Sequence, residues 1–184
     1  MARNAQETQS RILEAATEEF ARHGIAGARV DRITRAAGVN GALLYRYFGS
    51  KLNLFDAVYS DLVTDLVRDV PLNPADLVGY VDRLLDYYAE HPDVVRLAAW
   101  RQLERPDQEL PDVVVAAQHD KIERIRDAQA HGVLPGTLSA DELLNLLLTL
   151  SLSGTPLPPG AEATGQPVRR SAILAAVGLL VHAQ

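Results

Sequence analysis

Asn40, Gly41, Ala42, Tyr45 and Arg46 fall on the outward side of one short helix if the chain is helical there, with Ser50 and Lys51 close behind. Their chemistry is non-covalent recognition of a polyanion with patterned edges. Arg46 offers a guanidinium to phosphate oxygens or guanine edges. Ser50 and Lys51, at the start of the next helix, form a pair able to clamp a phosphate at that helix N-terminus. Arg29 sits near the positive end of the preceding helix, where a cation costs roughly 0.3–1 kcal/mol until an anion approaches.

The elements that must position these groups are legible in residues 30–51, V-D-R-I-T-R-A-A-G-V-N-G-A-L-L-Y-R-Y-F-G-S-K. Ile33, Ala37, Val39, Leu44 and Tyr47 are apolar at offsets that pack two short helices at a steep angle. Gly38 falls where the chain must turn sharply, and glycine reaches the left-handed conformation without steric cost. Asn40 is the expected N-cap of the second helix. The pattern is a helix-turn-helix whose recognition helix meets the major groove of double-stranded DNA.

The run A-A-G-V-N-G-A-L-L-Y-R-Y-F-G-S-K resembles the signature of TetR-type (tetracycline-repressor-like) transcriptional regulators. R-I-L-E-A-A and F-A-R-H-G upstream, and the L-N-L that follows the signature, are similar to family segments in order and spacing, so the motif-level likeness covers roughly residues 8–60. The resemblance implies an all-α homodimer with three N-terminal DNA-binding helices and a larger C-terminal helical domain. That domain would dimerise and hold a small effector that releases the operator. It also implies that Tyr45 touches the DNA backbone and that Lys51 contacts phosphate. Three positions depart from the family pattern. Ala28 and Arg29 stand where the family usually places a capping, phosphate-binding Thr or Ser. Thr34 replaces a small alanine. Gly41 replaces a long polar or basic side chain that reads a base, which leaves specificity to Asn40, Tyr45, DNA shape or a closer backbone approach.

Net charge is −6, which alone argues against a general nucleic-acid binder, but its distribution is uneven. Residues 1–51 carry eight basic against five acidic side chains, or +3, and the remainder carries ten against nineteen, or −9. The acidic part repels DNA and keeps the basic part turned toward it. There is no cysteine, so disulfides, thiolate metal sites and cysteine nucleophiles are excluded. The histidines at 23, 91, 119, 131 and 182 include no pair three or four apart, so no helix-borne zinc dyad is expected. No phosphate-binding glycine loop, nucleophile elbow or strand-helix alternation appears, so neither an enzyme nor a cofactor is expected. The start has no apolar leader, and the longest apolar runs, 143–152 and 172–181, fall short of the roughly 20 residues of a membrane span, so a cytoplasmic protein is expected.

About nine helices follow from the periodicity. Asn4 with Glu7 marks a capping box for the first helix, with Ile12, Leu13, Ala16 and Phe20 inward and His23-Gly24 closing it. The second and third span about 30–37 and 40–47. Ser50 caps a fourth, through Leu54, Phe55, Val58, Leu62 and Leu66, that ends before Pro71. Pro74 opens a fifth, and the sixth ends before Pro106. The seventh covers 111–130 with Val114, Ala117, Ile122 and Ile125 inward. Ser139 and Glu142 make a capping box for a leucine-rich eighth. Residues 154–167 read as a loop and 168–182 as a broadly apolar ninth helix. The eighth and ninth fit either a four-helix dimer interface or a monomer core.

The expected organisation is therefore all-α, with residues 1–50 a helix-turn-helix DNA-binding domain and 51–184 a helical effector-binding and dimerisation domain. Tyr87, Tyr88, Trp100, Arg101, Gln102, Gln118 and His119 are the candidate pocket residues, being the conspicuous non-aliphatic side chains there. The function expected is a homodimeric repressor of a near-palindromic operator, released by a small molecule. The alternative is an all-α dimeric interaction protein that has lost specific DNA reading, for which Gly41 and the missing cap hydroxyl speak.

Overall fold

The computed structural model describes residues 2–155 and 168–182, with residues 2–4 as helix backbone only. The described residues form nine α-helices and no strand: α1 (Ala2–Gly27), α2 (Val30–Ala37), α3 (Gly41–Phe48), α4 (Lys51–Asp69), α5 (Leu77–Glu90), α6 (Pro92–Glu104), α7 (Asp112–Ala130), α8 (Ala140–Ser153) and α9 (Arg170–His182). A 3-10 turn, Pro74–Asp76, precedes α5. The helix count and the all-α class agree with the sequence pattern. Most of the loop expected at 154–167 lies outside the described residues, as does the side chain of Asn4, and α1 already runs from Ala2, upstream of that expected cap.

Two compact units divide the chain: residues 1–63 with 93–111, and residues 64–92 with 112–184. The first has one core. Ile12, Ala16 and Phe20 of α1, Ile33 and Ala37 of α2, Leu44 and Phe48 of α3, and Leu54, Phe55 and Val58 of α4 are buried together, joined by Leu97 of α6. The Phe20 and Phe55 rings meet edge to face at 5.2 Å, an arrangement aromatic quadrupoles favour. Burying side chains of this size contributes about 1.5–3 kcal/mol each, enough to hold helices as short as α2 and α3, which would not form alone.

Gly24 interrupts α1 with φ 69° and ψ −177°, so the regular helix closes at the expected place and a further short turn runs to Gly27. The indole of Trp100 packs directly over this kink, and its Nε1–H donates to the Ala21 carbonyl at 3.3 Å. Asp56 of α4 accepts from Arg105, just beyond α6, at 2.5 Å. The α6 segment is thus pinned to the helix-turn-helix through its C-terminal half.

In the second unit Asn73 caps the 3-10 turn and Asp76 caps α5, its carboxylate accepting from Gly79 N–H at 2.9 Å, so Pro74 opens a 3-10 turn and not α5 itself. Ser139 and Glu142 form the expected capping box of α8. Arg170 of α9 forks onto Asp82 and Asp86 of α5, with Nε to Asp82 at 2.6 Å. Two inward positions on α7 differ from the sequence reading. Val114, Lys121 and Ile125 are buried, while Ala117 and Ile122 are only half-buried, because the buried stripe passes one residue before Ile122 and seats the lysine inside.

Candidate nucleic-acid interface

The turn between α2 and α3 is built as its sequence demands. Gly38 takes φ 64° and ψ 36° and turns its N–H back to the Arg35 carbonyl. Asn40 then caps α3, its side-chain oxygen accepting from Leu43 N–H at 2.8 Å. With Leu44 and Phe48 buried, the remaining faces of α3 point outward. Ala42, Tyr45 and Arg46 are exposed there, Tyr45 to 49%. Arg46 makes no hydrogen bond or ion pair among the described residues, so its guanidinium is available to an external acceptor. Nothing lies within 4 Å of the position a Gly41 side chain would take. Packing therefore does not require glycine at that site.

The N-terminus of α2 lacks the cap hydroxyl, and Arg29 makes no side-chain cap. Glu19 of α1 fills the role from a distance. One of its carboxylate oxygens accepts from Arg29 N–H and from Arg32 Nε, both at 2.8 Å. Burial pushes the Glu19 carboxyl up, but the hydrogen bonds from Arg32 and from the Arg29 backbone outweigh it and hold it below its ordinary value. A carboxylate at this helix end also offsets the macrodipole that the Arg29 charge opposes. Sequence reasoning missed Glu19 because its partner lies ten residues away across a kink.

Ser50 caps α4, accepting from Asn53 N–H at 3.0 Å. Lys51 reaches back across the head, donating to the carbonyls of Ala28 at 3.0 Å and Ala26 at 3.2 Å. An ammonium has three protons, so one remains for a phosphate. Ser50 thus fills the capping role its position predicted, while Lys51 has a folding role that the sequence alone did not reveal. Among the arginines of the head with described side chains, Arg11, Arg22, Arg29, Arg35 and Arg46 are exposed and without an ion pair, while Arg32 is bound to Glu19. Unpaired cations keep their field, and this cluster sustains the positive character that the charge count assigned to residues 1–51.

The seven pocket candidates are divided between the two units. Trp100 and Arg101 belong to the first unit, the indole over Gly24 and the guanidinium donating to the Gln108 carbonyl at 2.7 Å with the Tyr59 ring 6.0 Å away. Gln102, Gln118 and His119 are exposed, and His119 pairs with Glu123 one turn along α7. Tyr87 and Tyr88 are buried in the second unit, Tyr87 against the His91 ring. Polarity drew attention to these side chains in the sequence, and polarity is equally what keeps three of them in solvent.

Residues 12–58 match the family model described as bacterial regulatory proteins, tetR family, and residues 76–180 match that of the tetracyclin repressor-like C-terminal domain. The HTH-type transcriptional repressor SCO4008 of Streptomyces coelicolor is 44% identical over 152 residues, covering 82% of this chain and 79% of the relative. The HTH-type transcriptional repressor NicS of Pseudomonas putida is 33% identical over 109 residues, 55% of this chain and 51% of its own. A solved structure of the transcriptional regulator SCO4942 from Streptomyces coelicolor, 34% identical, superposes with a TM-score of 0.77 over 96% of this chain and 99% of that one.

Proposed function

This chain belongs to the TetR family of bacterial transcriptional regulators, and on that premise we propose that it is a homodimeric repressor released from a near-palindromic operator by a small-molecule effector. The observation that carries the reading is the outward face of α3, where the unpaired Arg46 and the exposed Tyr45 stand beside a capped helix N-terminus. Two such helices enter successive major grooves about 34 Å apart. Arg46 reads a guanine edge or holds phosphate, Tyr45 and the third proton of Lys51 hold phosphate, and Arg29 supplies charge at the start of α2. Asn40, Gly41, Ala42 and Ser50 complete the surface facing the duplex.

Residues 1–50 act as the reading domain and 51–184 as the effector-binding and dimerisation domain in this proposal. Exposed apolar side chains on α8 and α9, Leu146, Leu152 and Leu179 among them, favour a four-helix interface between two copies. The place of action is the cytoplasm, where the operator lies. No helix among the described residues is long and apolar enough to cross a membrane.

Release follows from differential affinity: an effector that binds the DNA-incompetent dimer more tightly by about 1.4 kcal/mol lowers operator affinity tenfold. The chain carries the signal by two routes, through α4, which begins in the head core and runs on beyond residue 63, and through α6, held to α1 by Trp100 and Glu104. Fluorescence anisotropy against DNA flanking the protein's own gene, with a scrambled duplex and varied salt, tests the reading. Tight, salt-sensitive preference for one segment is expected. Equal, weak binding to both duplexes, together with no response to a broad metabolite screen, overturns it.

A further inference from the structure

Lysine occurs at only two positions in this chain, and one of them is inside the second unit. Lys121 of α7 is 8% exposed, and its ammonium lies 5.8 Å from the centre of the Tyr80 ring of α5. It makes no ion pair among the described residues. The neighbouring carboxylate on its own helix, Asp120, turns outward and is engaged by Arg124 at 2.8 Å. Tyr80 is fully buried, and its hydroxyl has no hydrogen-bond partner among the described residues. Two donors therefore lie within reach of one another, one of them an ammonium over the ring and the other a hydroxyl enclosed without an acceptor among the described residues. A buried polar group without a partner destabilises a fold, so its presence points to a partner supplied from outside.

The shape of that partner follows from the donors. Both give protons, one carries positive charge, and no carboxylate among the described residues pairs with them. The buried side chains of the same unit are mainly aliphatic, Leu77, Val81, Leu84, Ile125, Leu143 and Leu147 among them, with the rings of Tyr87 and Tyr88 also buried in that unit. We propose that Lys121 and Tyr80 are the polar anchor of the effector site, and that the effector is a small organic acid whose carboxylate accepts from both while its apolar body lies in the aliphatic interior. The inference rests on the reading of the protein as an effector-released repressor. Burial, and then Tyr88, push the Tyr80 phenol above its ordinary range, so it remains a donor to an anion. Burial draws Lys121 down from its usual value, with Asp120 opposing, and a bound carboxylate would favour the charged form further.

The full-length protein is titrated by calorimetry with octanoate, benzoate, phenylacetate and salicylate, and with the corresponding primary amides. At least one acid is expected to bind, with its amide at least tenfold weaker. Lys121→Met is expected to erase the preference for acid over amide, and Tyr80→Phe to weaken the acid several-fold. Arg169→Met, which removes an exposed cation of the same unit, serves as the control and leaves acid binding unchanged.

A measurement without ligand guards against a wrong choice of acids. If the lysine is held in place for a ligand, Lys121→Met removes a largely buried side chain that has no ion pair among the described residues and raises the Tm of the free protein by about 2–5 °C. A lowered Tm makes Lys121 a structural residue and overturns the anchor, as does equal binding of acids and amides or the absence of binding by every acid. An acid that binds without releasing operator DNA leaves the anchor standing and removes the release mechanism. Operator release by a total metabolite extract, with no acid bound, removes the anchor and leaves the release mechanism standing.

Discussion

The carboxylate of Glu104, the last residue of α6, accepts a hydrogen bond from the backbone N–H of Ala26 at 2.7 Å, inside the turn that joins α1 to α2. Seventy-eight residues separate the two in sequence. The same turn contributes the carbonyls of Ala26 and Ala28 to Lys51, so α4 and α6 grip one short backbone segment from two sides. A displacement of either helix must therefore be felt at the entrance to α2. Glu104→Ala is expected to cost about 1–2 kcal/mol in urea unfolding, the value of a charge-assisted hydrogen bond. It should also weaken effector-driven operator release several-fold in anisotropy titrations, and full release at unchanged effector concentration would count against α6 as a route of coupling.

Gly24 cannot carry a side chain where it stands. Its φ of 69° is a backbone conformation that residues with a Cβ adopt at a cost, and the added atom would meet the Trp100 ring at 2.9 Å and the Glu104 carboxylate. Gly24→Ala is expected to lower stability by about 2–4 kcal/mol, more than the helix-propensity gain returns. Thermal unfolding by circular dichroism measures it.

Arg46 and Lys51 should separate on substitution. Arg46→Ala leaves unfolding midpoints within about 0.5 kcal/mol of the parent, lowers operator affinity by about 1–3 kcal/mol and reduces the salt slope by about one. Lys51→Ala weakens operator binding too, yet it also destabilises the fold, since two carbonyls lose their donor. Paired unfolding and binding titrations on both variants check the contrast. An Arg46→Ala protein that bound operator at parental affinity would remove this residue from the interface.

Glu19 links stability to pH. Its carboxyl is lowered in the folded protein, so the stabilisation is complete above the ordinary carboxylate range and is lost as pH falls through the lowered folded value. Glu19→Gln removes that dependence. The expected result is a smaller drop in urea midpoint between about pH 7 and about pH 3 for the variant than for the parent. Equal drops would place the acid sensitivity elsewhere.

Local signals carried most of what the sequence disclosed. Gly38, Asn40, Ser50 and the Ser139/Glu142 box each act on backbone within four residues, so spacing alone located the ends of α2, α3, α4 and α8. What stayed hidden depends on contacts between distant segments. Glu19 capping α2, Trp100 seated on Gly24 and Lys51 tied to the α1–α2 turn have no signature within a short window. Lys121 shows the limit of periodicity itself: a one-position rotation of α7 exchanges Ile122 for a lysine on the buried stripe. The candidates chosen for polarity fell in both units, three of them in solvent, while the polar pair of Tyr80 and Lys121 escaped notice because tyrosine and lysine are common on surfaces.

Gly41→Lys tests the recognition helix from the other direction. The space around the missing side chain is open, so the fold should accept lysine without loss, and a residue better suited to helices than glycine should raise stability slightly. Affinity for all duplexes should rise, with the salt slope steeper by about one. A fall in stability of more than about 1 kcal/mol would show that the glycine serves the fold.

That vacancy has a consequence for how such a regulator changes over generations. A position at the outward start of α3 that is loaded by no neighbour among the described residues can be altered by single codon changes without disturbing the packing beneath it. Operator preference and folding stability are then inherited as separable traits. A duplicated copy of the gene could acquire a new target while keeping its core, its helix caps and its response to the cell unaltered.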